Sequence, residues 1–201
     1  MSAAQQTEAT AYPTLAQTFW PRGAAKPALR NAALAIGGTV LLWLSAKIQV
    51  PLQPVPITMQ TLVVLVLGVA FGWRLGAATM ALYLLEGAVG LPVFAGGWSE
   101  GGGFHLLYGA TAGYLFGFVV AAGVCGRLAE RGWDRRVLGS AAAMVIGNLI
   151  IYAMGLAWLA GQLGMASAIK YGLVPFLLGD AIKVALGTCA LPAVWKGIGR
   201  R

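Results

Sequence analysis

Acidic side chains are scarce in this chain of 201 residues: Asp and Glu total six against fourteen Lys and Arg, and charged residues make up only 10%. Soluble domains carry about 25%. A soluble fold of this size needs a polar surface that so few charges cannot supply. Histidine occurs once, as His105, so a multi-histidine metal site is excluded. Cysteine occurs twice, as Cys125 and Cys189, far apart and each in a small-residue apolar stretch, which reads as two buried thiols rather than a metal motif. No metal is assigned. There is no GxxxxGK[ST] loop, so ATP binding is not expected in this chain. There is no run rich in Lys and Arg and no basic patch interleaved with aromatics, so nucleic acid is not an expected partner. Residues 1–27 lack the basic start, apolar core and small-residue cleavage site of a secretory signal. No nucleophile, base and orienting group can be placed together. Ser99, Glu100 and His105 are neighbours in sequence, but the glycines around them leave their geometry open. No catalytic residue is assigned, and the chain is read as a non-enzyme.

What is abundant is apolar surface. Hydrophobic residues reach 59%, glycine numbers 29 and mean hydropathy is +0.77. Lipid is therefore the main solvent. A membrane helix takes about 20 residues, so six would use about 120 and leave no room for a large catalytic domain. Apolar stretches place spans at about 28–46, 57–73, 75–91, 109–126, 138–160 and 172–194. The proline-rich 51-PLQPVP-56 interrupts the helical pattern before the second span, and the glycine-rich 90–109 cannot be one regular helix. Phe94, Trp98, Phe104 and Tyr108 give that long segment apolar surface with which to cover a cavity; a simple external loop is the alternative.

The basic residues test the count. With the N-terminus inside, eleven fall on the inner side: Arg22, Lys26, Arg30, Arg74, Arg127, Arg131, Arg135, Arg136, Lys196, Arg200 and Arg201. Lys47 and Lys170 fall outside, and Lys183 lies within a span. This is the positive-inside bias, which five spans would spoil. The expected fold is an all-α membrane protein, a compact bundle of six transmembrane helices with both termini cytoplasmic. Residues 1–27 form an N-terminal cytoplasmic tail, 28–195 a substrate-binding domain and 196–201 a short basic tail. Phe19 and Trp20 are placed at the membrane interface.

Charge inside hydrocarbon is expensive, so ionisable groups within spans mark candidate sites. Asp180 and Lys183, in 179-GDAIK-183, share one helix face. They form either a structural ion pair or a polar binding face. Lys183 suits a carboxylate and Asp180 suits ligand N–H groups. Asn148 and Tyr152, four apart, offer a second polar face, with hydrogen bonding between helices as the alternative. Glu86 either pairs within the bundle, reaches water at the outer end of its span, or meets a ligand. Small residues recur at spacing four, as Gly68, Gly72 and Gly76 and as Gly109, Gly113 and Gly117, which lets backbones pack closely. In the first span, Ala28, Ala32, Ala33 and Gly37 either pack within the bundle or meet another membrane protein.

Four segments taken together, 54-PVPITMQT-61, 90-GLPVFAGG-97, 109-GATAGYLFGF-118 and 179-GDAIK-183, carry a family resemblance over about residues 28–195. The chain resembles the biotin transporter family BioY, the substrate-binding S component of an energy-coupling factor (ECF) transporter. The resemblance implies high-affinity biotin uptake by a multi-pass protein of the bacterial cytoplasmic membrane, with biotin as transported substrate and no cofactor. It implies that Asp180 and Lys183 surround the polar head and carboxylate of the vitamin, beneath the 90–109 segment. The family commonly reads G-P-T-G-G-Y where this chain has 109-GATAGY-114; Ala110 and Ala112 depart from that pattern while Gly113 and Tyr114 keep it, and Tyr114 joins the candidate ligand set. Partners implied are a transmembrane coupling subunit, met by Ala33 and Gly37 or by the alternative register of Ala28 and Ala32, and two ATP-hydrolysing subunits. An S component for a different small vitamin, a membrane enzyme and a purely structural membrane protein are the competing readings.

Overall fold

The computed structural model describes residues 12–21, 26–95 and 108–198. Arg22, Trp98, Ser99, Glu100, Phe104, His105, Arg200 and Arg201 lie outside the described residues, and with them most of the expected cover over the cavity. A short helix α1 (Leu15–Phe19) precedes α2 (Pro27–Lys47). Strands β1 (Gln49–Val50) and β2 (Ile57–Thr58) pair antiparallel, and α3 (Gln60–Phe71) and α4 (Trp73–Ala88) follow. After residue 108 come α5 (Ala112–Ala129), α6 (Val137–Leu163), α7 (Met165–Gly172) and α8 (Leu177–Ile198). Two 3-10 turns, Trp133–Arg135 and Val174–Phe176, lead into α6 and α8.

All six apolar stretches become helices, with edges that move for local reasons. The second starts at Gln60 rather than 57 because Ile57 and Thr58 are committed to pairing with Val50 and Gln49. Among the described residues, four helical runs are long and apolar enough to cross a membrane: Pro27–Lys47, Ala112–Ala129, Val137–Leu163 and Met165–Ile198. At 12 and 16 residues, α3 and α4 are shorter, or about 18 and 24 Å at 1.5 Å per residue. Leu29, Ile36 and Leu44 on α2 and Ile182 and Leu186 on α8 point outward as exposed apolar side chains, as lipid-facing positions do.

The bundle is organised around α5. Its apolar window is 61% buried, against 28% for α2. Small residues make this possible. A Cβ on Gly68 would meet the Ala122 backbone at 2.7 Å, and one on Gly126 would meet the backbone of Gly72 and Trp73 at 2.4 Å. On the other side of α5, Gly117 faces the Ile151 backbone at 3.1 Å. Gly72, at φ +81°, makes the turn that lays α3 beside α4. These spacings are intramolecular packing devices. The exposed Ala28, Ala32, Ala33 and Gly37 of α2 are not, and nothing lies within 4 Å of a Cβ built on Gly37.

Residues 12–20 are tied to the end of the bundle opposite the cavity. Leu15 and Ala16 are buried, and the Ala16 carbonyl accepts from Arg30 Nη2 at 3.2 Å. The Tyr12 N–H donates to the Glu130 carbonyl at 2.8 Å. The Arg135 guanidinium lies over the rings of Tyr12 (4.8 Å) and Trp195 (4.2 Å), and Trp195 Nε1 donates to Asp134 Oδ2 at 2.6 Å. Burial holds the Asp134 carboxyl above the usual carboxylate range, and the Trp195 hydrogen bond works against that rise.

Candidate binding cavity

The cavity begins with the proline loop. Pairing of Gln49 with Thr58 and Val50 with Ile57 closes residues 51–56 into a tight excursion, in which the Gln53–Pro54 peptide is cis. Prolines 51, 54 and 56 have no N–H, so irregular backbone there leaves fewer donors to satisfy beside an apolar cavity. This loop, the start of α3, residues 94–95, residues 109–111, the first two turns of α5, the middle of α6, Phe176 and the start of α8 enclose about 330 Å³. Small-ligand sites run to roughly 300–1,000 Å³. Leu115, Phe118, Ile151 and Phe176 supply apolar wall, and the Tyr114 ring stacks with Phe176 at 6.4 Å.

Asp180 and Lys183 face this cavity from one turn of α8. Both are buried, and Lys183 Nζ lies 2.7 Å from Asp180 Oδ1. Thr61 joins them: its hydroxyl accepts from Lys183 Nζ at 3.0 Å and donates to Asp180 Oδ1 at 3.0 Å. The Tyr152 hydroxyl donates to Asp180 Oδ2. Four groups from three helices thus form one network at the cavity wall. Beside it, Gln60 Nε2 donates to the Tyr83 hydroxyl at 2.8 Å, and that hydroxyl donates to the Val93 carbonyl at 2.6 Å. Lys47 Nζ holds the next carbonyl, that of Phe94, at 2.9 Å.

Of the residues singled out from sequence, the fold brings Asp180, Lys183, Tyr152 and Tyr114 to the cavity. Tyr114 is a wall residue whose hydroxyl donates to the Gly172 carbonyl at 2.8 Å, and Gly155 leaves room for its ring. Asn148 and Glu86 are not among the residues lining the cavity. Asn148 shares a face with Tyr152 but lies one turn nearer the start of α6, where Gly147 packs on Leu65 and Cys125 and the Asn148 side chain is buried. Glu86 is half-buried on α4, one position round the helix from Gly87, whose place against the cavity side is taken by the Phe94 ring. Thr61 and Gln60 were missed. Their signal was available, as two polar side chains opening an otherwise apolar span. Among the described residues, no group of three or more His, Cys, Asp and Glu comes together as a metal site.

Comparisons with known proteins agree on one family. A family model described as the BioY family matches residues 14–200. A protein of Thermotoga maritima named "Biotin transporter BioY" is 40% identical over 149 residues, covering 74% of this chain and 85% of that one. One of Rhizobium etli with the same name is 37% identical over 166 residues, covering 79% and 87%. A solved structure, the S-component for biotin from an ECF-type ABC transporter, shares the fold at TM-score 0.73 and 21% identity, covering 84% of this chain and 92% of that one.

Proposed function

The chain belongs to the BioY family, and from that membership we propose that it binds biotin and takes it up across a membrane as the S component of an ECF-type transporter. It is a multi-pass membrane protein and a transport subunit rather than an enzyme. One observation carries the substrate reading: a cavity of about 330 Å³, apolar along α5 and α6, that ends on the buried Asp180–Lys183–Thr61–Tyr152 network. Biotin has the matching form, an apolar bicycle and chain with a cyclic urea at one end and a carboxylate at the other. Lys183 uses two of its three donors on Asp180 and Thr61, and its third supports an assignment to the carboxylate. Asp180 retains one lone-pair direction after accepting from Lys183, Thr61 and Tyr152, which supports an assignment to a urea N–H.

The topology we propose has six spans, both termini in the cytoplasm and the cavity open to the outer side of a bacterial cytoplasmic membrane. Four helical runs long enough to cross a membrane, the two shorter helices α3 and α4, and the inward bias of Lys and Arg support it. The short α3 reaches the outer surface with the help of the proline loop that precedes it. The partners are a transmembrane coupling subunit on α2 and two ATP-hydrolysing subunits, with lipid around the remainder. The test is equilibrium titration of the isolated chain in detergent with biotin and with an analogue lacking the carboxylate. Saturable biotin binding with much weaker binding of the analogue is expected. No binding of biotin would overturn the reading.

A further inference from the structure

The two N–H groups of a cyclic urea point outward on opposite flanks of the ring, and Asp180 has one acceptor direction left, enough for one of them. A buried donor without an acceptor is costly, so a second acceptor is required nearby. We propose that the side-chain carbonyl of Gln60 is that acceptor, and that Tyr83 is the positioning residue that holds it in the accepting orientation. The proposal rests on the biotin reading above.

The chain of hydrogen bonds fixes the direction. The Val93 carbonyl can only accept, so the single Tyr83 hydroxyl proton, at 2.6 Å, belongs to it. The Tyr83 oxygen is then an acceptor toward Gln60. The end of the Gln60 side chain 2.8 Å from it must be the amide NH2, and the other end must be the carbonyl. That carbonyl has only a long contact from the Thr58 hydroxyl at 3.4 Å, which leaves it acceptor capacity. Gln60 is buried, lines the cavity and adjoins Thr61, the partner of Asp180. Both acceptors therefore serve one cavity, each available to a different flank of the ring. Tyr83 itself is fully enclosed, its ring edge-on to Phe94 at 5.4 Å, and it does not line the cavity. It acts through Gln60.

The probes are biotin and its two cyclic carbamate analogues, in each of which one urea N–H is replaced by oxygen. Affinities are measured in detergent for the wild type, Gln60→Leu and Tyr83→Phe. One carbamate places an oxygen against the Gln60 carbonyl and should bind the wild type about tenfold or more weakly than biotin. Gln60→Leu should abolish that preference, and Tyr83→Phe should abolish or invert it, because the freed amide can rotate and offer its NH2 to the oxygen. The preference against the other carbamate, which opposes Asp180, should survive in both variants. Ratios of affinities do not depend on the folded fraction, and Tyr83→Phe keeps the packed ring, so a poorly folding Gln60→Leu still leaves a reading. Equal weakening of all three ligands by Tyr83→Phe would make the tyrosine merely structural and overturn the proposal, as would unchanged ratios in both variants. Failure of the wild type to bind biotin at all would instead sink the substrate reading, and this proposal with it.

Discussion

Burying an ion pair rarely stabilises a fold beyond what apolar side chains of the same volume would do, yet removing one partner costs roughly 3–5 kcal/mol. The Asp180–Lys183 pair, 2.7 Å apart with both side chains enclosed, sits under that asymmetry. A span needing only packing has no use for it, which is the argument for a ligand. Lys183→Ala is expected to lower both thermal stability and biotin affinity, the latter about 10- to 100-fold, because Asp180 is left charged and underpaired. Combining Asp180→Asn with Lys183→Met should return the melting temperature toward wild type while binding stays lost. Thermal unfolding beside equilibrium binding checks this; recovery of binding together with stability would mark the pair as structural. Asp134 gives a separate titration at the end of the bundle opposite the cavity. Its folded pKa is raised, so the folded state holds a proton that the unfolded chain releases from about pH 4 upward. Its contribution to stability is full below that pH and falls as pH rises toward the folded pKa. Asp134→Asn keeps an acceptor for Trp195 and should flatten the pH dependence of the melting temperature above about pH 4. An unchanged slope would show that Asp134 does not titrate in that range.

Between elements, the deciding quantity is how closely two backbones approach. A methyl group at Gly126 would run into the Gly72–Trp73 backbone at 2.4 Å, which cannot rotate away. Gly126→Ala should therefore push α5 off the α3–α4 turn and cost about 1–3 kcal/mol, read as a lower melting temperature. Gly37→Ala, with nothing within 4 Å, should not lower it. A shared sensitivity would mean that α2 is packed on both faces. The helices themselves were legible because length and apolarity are local properties. The start of α3 was not, since the β1–β2 pairing that sets it joins residues separated by the proline loop. The same limit shaped the site. Asp180 and Lys183 were legible as charges inside a span. Asn148 and Glu86 were legible as polar groups but do not line the cavity, because polarity does not say how a helix is turned; contacts such as Gly147 on Leu65 decide that. Gln60 and Thr61 were passed over because polar side chains at a helix start resemble a boundary.

At the scale of the whole molecule, small residues divide into two classes that the sequence pattern alone does not separate. Gly68, Gly76, Gly113, Gly117 and Gly126 are used up inside the bundle. Ala28, Ala32, Ala33 and Gly37 lie exposed on α2, among Leu29, Ile36 and Leu44, and α2 is only 28% buried along its apolar window. The cavity lies elsewhere: no α2 residue is among those lining it. A substitution on this face can therefore alter assembly without touching the ligand. Gly37→Leu should leave biotin affinity within about twofold of wild type, as surface changes do. The same variant should lose most of its co-purification with the transmembrane coupling subunit, because close approach of two helices requires a small residue at the crossing. Ala33→Leu should act in the same direction, and Ala28→Leu and Ala32→Leu report whether the second register is used instead. Assembly that survives all four changes would assign the face to lipid. Assembly lost only with Ala28 and Ala32 would shift the crossing by five residues along α2, about 140° round the helix, which fixes how the subunit is rotated against its partner.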